Sequence, residues 1–162
     1  MSGSTVVSNG MPTAYDVPAD QLIAKIKDYL KKEGKINPRP YFYYAKTGSQ
    51  ADRPPQSSDW FYYRAASILR KLYFYGPLSI KDMTKIYGGR KRRGYSLAHS
   101  RPSGSSHIRS ILKDLEAMGL VKKESKGRVL TPSGRSLIDK LATEVFEEFK
   151  KENPIVEKLG IG

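Results

Sequence analysis

The sequence predicts a mostly α fold: a winged helix-turn-helix core, three helices plus a β-hairpin wing, with additional N- and C-terminal helices. Three observations carry that expectation. Apolar residues recur at helical spacing in five stretches. Two short strand-like runs around a glycine follow the fourth stretch, and Pro, Gly and Ser punctuate the boundaries. A third helix running straight into a small hairpin is the element order of a winged helix.

Along the chain, Leu22, Ile23, Ile26 and Leu30 predict the first helix, with Pro18 suited to its first turn and Gly34 ending it. The stretch "INPRPYFYYAKTGSQADRPPQSSD" carries four prolines that break the period, so a short aromatic-rich segment and then an ordered loop are expected. Tyr41, Phe42, Tyr43 and Tyr44 either pack on the core or offer rings for base stacking. A long helix follows: Ser57 or Ser58 can cap it, Asp59 suits its first turn, and Phe61, Ala65, Ile68, Leu69 and Leu72 form one stripe stopped by Gly76 and Pro77.

Ser79 and Asp82 fit a capping box for a shorter helix with Ile80, Met83 and Ile86 apolar, ending at Gly88 and Gly89. From about Ser105 the third core helix carries Ile108, Ile111, Leu112, Leu115 and Met118, closed by Gly119. Leu120, Val121, Val129 and Leu130 flank Ser125, Lys126 and Gly127 as a hairpin. Thr131 is an N-cap, Pro132 a first-turn proline, and Leu137, Ile138, Leu141, Val145 and Phe149 carry a closing helix to about Glu152. The expected organisation is a flexible tail over 1–14, a single winged-helix-type domain over 15–152 and a C-terminal tail over 153–162.

Composition bounds the chemistry. In 162 residues, 29 Lys and Arg stand against 16 Asp and Glu, a formal charge of +13, which points to a polyanionic partner. Cysteine is absent, so disulfides and Cys-type zinc sites are excluded, and only two histidines remain as imidazole ligands. No metal or cofactor is expected. No run approaches the roughly eighteen apolar residues of a membrane span, and the N-terminus lacks a secretory pattern, so a soluble intracellular protein is expected.

The charge is segregated. Between Asp82 and Asp114 there is no acid, while Lys85, Arg90, Lys91, Arg92, Arg93, Arg101, Arg109 and Lys113 all fall there. Gly88, Gly89, Gly94 and Gly104 interrupt this run and let backbone amides approach phosphates. The run reads as a loop, mobile until anions neutralise its mutual repulsion. Its arginines can fork onto phosphates, and lysines act as point charges. Ser103, Ser105 and Ser106, with the unpaired amides of the third core helix and Arg109 one turn in, form a second candidate phosphate site. Tyr87, Tyr95 and His99 are candidate stacking rings or packing props. On the long helix, Arg64, Arg70 and Lys71 read, taken alone, as surface charge whose stems cover the core. Lys126 and Arg128 flank Gly127 at the hairpin tip, as a solvated turn or as a wing against a backbone.

The segments "DWFYYRAASILRKLY", "MTKIYGGRKRRG", "SGSSHIRSIL" and "KGRVLTPSGRSLIDKLA", in this order and spacing, resemble the archaeal and eukaryotic small-subunit ribosomal protein S-nineteen-e family over roughly Val17 to Glu148. The run "ILRKLYFYGPLSI" looks archaeal. The resemblance implies a winged-helix protein in the cytoplasm, seated on rRNA in the head of the small subunit beside other ribosomal proteins. It also implies a role in subunit maturation and no enzymatic activity or small-molecule substrate. It places the family's basic surface on Arg64, Arg70, Arg90, Arg109, Gly127 and Arg128. A winged-helix DNA-binding regulator is the alternative that element order permits. A nuclease would need carboxylates or a histidine pair beside the phosphate site, and only His99 and His107 are on offer.

Overall fold

The computed structural model describes residues 12–154. Five helices and two hairpins follow in the order α1 (Ala19–Glu33), α2 (Trp60–Tyr75), α3 (Ile80–Ile86), β1 (Gly89–Arg93), β2 (Ser96–Arg101), α4 (Ser106–Ala117), β3 (Val121–Glu124), β4 (Gly127–Leu130) and α5 (Pro132–Glu152). The expected mostly α, winged-helix arrangement is what forms. α2, α3 and α4 make the three-helix core, β3 and β4 the wing, and α1 and α5 pack beside them.

The core is built from the stripes that periodicity marks. Phe61, Ala65, Ile68, Leu69 and Leu72 of α2 are buried, and so are Leu22, Ile26 and Leu30 of α1. Ile108, Ile111, Leu112 and Leu115 of α4 meet them with Ile138, Leu141 and Val145 of α5. Each large aliphatic side chain so placed contributes about 1.5–3 kcal/mol by leaving water. Phe42 joins through rings of Trp60 and Phe61 at 5.4 and 5.8 Å, on a short 3-10 turn at Pro40–Tyr43. Tyr41 packs partly, with its hydroxyl 3.1 Å from Ser110 Oγ, whereas Tyr43 and Tyr44 stay exposed.

Caps form where small polar residues stand. Ser79 accepts the amide of Asp82, whose carboxylate returns to the Ser79 amide at 3.1 Å. Thr131 accepts from the Gly134 amide and donates to Gly119 O at 2.7 Å. Some boundaries shift. Pro18 is the N-cap of α1 and not a first-turn residue. Asp59 is the N-cap of α2, and Ser57 and Ser58 instead donate hydroxyls to its carboxylate. α3 closes at Ile86 with Tyr87 as C-cap, immediately before the glycine pair.

The wing is wider than a hairpin. Leu78 and Arg128 exchange backbone hydrogen bonds of 3.1 and 2.8 Å, which adds a third short strand segment beside β4. Of the segment expected as an N-terminal tail, residues 1–11 lie outside the described residues, while Ala14 is buried within a 3-10 turn, Ala14–Asp16, that packs on α5. Of the C-terminal tail, 155–162 lie outside them.

Candidate nucleic-acid interface

The acid-free run corrects the expectation of a loop. Gly89–Arg93 and Ser96–Arg101 pair as an antiparallel ribbon, joined by Gly94 and Tyr95 with Gly94 at φ 67°. A two-residue connection with glycine first in a left-handed conformation suits the twist of paired strands. The ribbon gave no strand signal because it buries almost nothing: every residue of β2 is exposed. Backbone hydrogen bonds make it, not apolar alternation.

Register arranges the cations. Arg90 faces Ser100 and Lys91 faces His99, after which a bulge shifts the pairing so that Arg93 meets Ser96. The extra residue lies in β2, where Leu97 and Ala98 together oppose Arg92, so alternation along β1 is kept and Arg93 stays with Lys91 while Arg92 stays with Arg90. Arg90, Arg92, Arg93 and Arg101 are exposed. Among the described residues none of these, nor Lys91, Arg109 or Lys126, has a carboxylate within 4 Å; the ion pairs there involve other cations.

The ribbon's base is fixed by backbone contacts from three directions. The Ser103 amide donates to Thr84 O at 2.9 Å, and the Gly104 amide to Thr47 O at 2.7 Å. Gln50 Nε2 reaches Tyr87 O at 3.4 Å. A Cβ on Gly88 would sit 2.5 Å from Arg101 O, so glycine is required where α3 turns into β1. The end of α3, the segment 47–50 and the start of α4 therefore aim the ribbon together.

Other sequence-derived candidates separate into groups. Ser105 is the N-cap of α4 without a side-chain capping bond, and Ser106 and Arg109 are exposed beside it. Ser103 is buried with its amide already used, so it leaves that group. Tyr95 stands fully exposed at the ribbon tip and His99 on its flank. Tyr87 is a packing prop, donating its hydroxyl to Ser67 at 2.8 Å beneath the Arg64 guanidinium.

Arg64 lies 4.2 Å from the Tyr87 ring centroid and 5.8 Å from that of Trp60, with one terminal nitrogen buried and lacking an acceptor. Burial holds its pKa below the usual value. Lys71, seven residues on, shares its helical face. Arg70 points elsewhere: its guanidinium rests 4.3 Å from Phe74, whose ring meets Tyr15 in the N-terminal turn. At the wing, Lys126 is exposed in the turn, while Arg128 donates to Glu116 on α4 at 2.7 Å. Gly127 adopts φ 133°, and a Cβ there would lie 2.6 Å from the Leu78 backbone.

Sequence reading missed two cations that the fold adds, Lys81 and Arg53. Lys81 and Lys85 on α3 meet Ser100 and Arg101 around a cleft of about 230 Å3. Arg53 reaches a second cleft with Arg64. Only their sign was readable, because their neighbours come from distant segments.

The two histidines are not brought together. His99 is exposed on the ribbon, whereas His107 is buried against the edge of Trp60, its pKa pushed down to about 4 by desolvation and then by Arg64. No group of three His, Asp or Glu suited to a metal occurs among the described residues, and no helix there is long and apolar enough to cross a membrane.

The family model described as Ribosomal protein S19e matches residues 13–148. A relative named small ribosomal subunit protein eS19, from Aeropyrum pernix, is 46% identical over 151 residues, covering 91% of this chain and 99% of that protein. Its namesake from Thermoplasma volcanium is 41% identical, covering 88% and 95% respectively. Small ribosomal subunit protein eS19G of Ascaris suum is 37% identical over 132 residues.

Proposed function

From the premise that this chain belongs to the ribosomal protein S19e family, we propose that it is a structural component of the small ribosomal subunit that clamps rRNA backbone. The clamp is the β1–β2 ribbon together with the exposed start of α4, helped by Lys71, Arg64 and the cations of α3. One observation carries this reading: a ribbon whose exposed arginines meet no acid is held by backbone bonds at its base. Such a projection has no core to stabilise, and its charges repel until phosphates neutralise them.

The seat in the subunit head, the role in maturation and contact with neighbouring ribosomal proteins come from the family resemblance. Lys126 at the wing tip extends the proposed surface. Arg70, Gly127 and Arg128 support the fold around it, since their side chains or backbones already pack on Phe74, Leu78 and Glu116. No enzymatic step is proposed: the ribbon offers no carboxylate, and the two histidines stand apart.

Nucleotide-resolution footprinting of small subunits assembled with and without the protein tests the reading. Protection of rRNA should disappear where Arg90, Arg92 and Arg93 are replaced by glutamine. A chain absent from purified small subunits, yet tight on a palindromic DNA duplex, would instead mark the DNA-binding regulator.

A further inference from the structure

Phosphate clamping along the ribbon does not account for the cleft beside Arg64. It opens between α1, the segment 47–57, the outer face of α2 and the end of α3, with a volume of about 570 Å3. It is a shallow groove open to solvent, so a ligand there would keep one side in water. Trp60, Tyr63, Arg64, Tyr87 and Arg53 line it, and no Asp or Glu does. The adjacent Asp59 is engaged by Ser57, Ser58 and Lys31.

Arg64 is the unusual group here. A buried charged donor without an acceptor carries a large desolvation penalty. The Trp60 and Tyr87 rings offset part of it through their π faces, but they offer its N–H groups no oxygen. An anionic oxygen entering the cleft would complete the site. A lone phosphate, however, would leave the aromatic wall without a role. Tyr63 lines the cleft and is 43% exposed; Lys27 stands over one face of its ring at 4.7 Å, so a flat ligand would take the opposite face or displace that ammonium.

We propose that this cleft receives one unstacked nucleotide of RNA, its phosphate on Arg64 with Arg53 at the rim, and its base against Tyr63. The inference rests on the reading that the basic face binds RNA, and it adds the element recognised: a bulge or loop with a base out of the stack. A continuous duplex keeps its bases paired and cannot fill such a cleft. Splayed bases stacked on aromatic and guanidinium planes are the usual route to single-stranded RNA.

The test compares the full-length chain on three RNAs by fluorescence anisotropy at low salt: a perfect duplex, the same duplex with one bulged adenosine, and that bulge made abasic. The bulged RNA should bind at least about fivefold tighter than the other two. Y63L should erase that preference while leaving duplex affinity in place, and R64K, where thermal melting shows it folded, should erase the preference as well. A 2-aminopurine at the bulge should be quenched by the wild-type chain and not by Y63L, which keeps the test open without the Arg64 variant. Equal affinity for duplex and bulged RNA overturns the nucleotide cleft and leaves the RNA-binding reading standing. No binding to any of the three overturns that reading and the cleft with it.

Discussion

Replacing Arg90, Arg92 and Arg93 together with glutamine separates electrostatic clamping from any structural role of the ribbon. All three are exposed and unpaired with carboxylates, so each is free to neutralise one phosphate. Each neutralised phosphate steepens the logarithmic salt dependence of binding by about 0.7 for single strands to 0.9 for B-form duplexes. Loss of three contacts should flatten the slope by roughly 2.1 to 2.7. Between 50 and 200 mM salt, the wild-type advantage should then shrink by about 20- to 40-fold, the fourfold salt change raised to that power. Fluorescence anisotropy with an rRNA fragment across a salt series measures it. Stability should hold within about 0.5 kcal/mol per site, because these side chains touch no core. An unchanged slope with a folded variant would refute the clamp at this ribbon. A cooperative loss of structure would show instead that these cations hold the fold.

G127A should destabilise the protein by at least about 2 kcal/mol in urea unfolding, because a Cβ at φ 133° must push against the Leu78 backbone. Lost RNA affinity at full stability would instead make Gly127 an RNA contact. T131A should cost about 1 kcal/mol in the same assay, since the hydroxyl both caps α5 and donates to Gly119 O. His107 is held neutral near pH 4 and above, below its ordinary value of 6.5, so the unfolded chain binds the extra proton first. Its contribution should be complete above pH 6.5 and fade as pH falls towards 4. Urea midpoints at pH 7 and pH 5 should differ in that direction, less so in H107Q, and a His107 resonance titrating near 6.5 would contradict the burial argument.

The helices were legible because burial is written along one face. Leu69 and Ile111 fall on period with their neighbours, and both lie in the core. Ser79 and Thr131 were legible as caps because the group that satisfies the helix amides belongs to the residue itself. The ribbon was not, since backbone pairing between "GRKRR" and "SLAHSR" needs no apolar alternation and Leu97 remains exposed. The cleft beside Arg64 escaped for another reason. Thr47 reaches Gly104 through a carbonyl, and Tyr87 meets Arg64 across a turn, so what joins these segments is main chain and shape. Trp60 and Arg64 could be read as core and charge, but not as two walls of one opening.

The fixed base and unburied length of the β1–β2 ribbon have an evolutionary consequence. A two-stranded hairpin alone is marginal in water, so its orientation is inherited from Thr84, Thr47 and Gly88 at the root. Substitutions at the root are filtered by folding, whereas those from Arg90 to Ser100 are filtered only by the surface they meet. The outer segment can thereby change the surface it presents without cost to the fold that carries it.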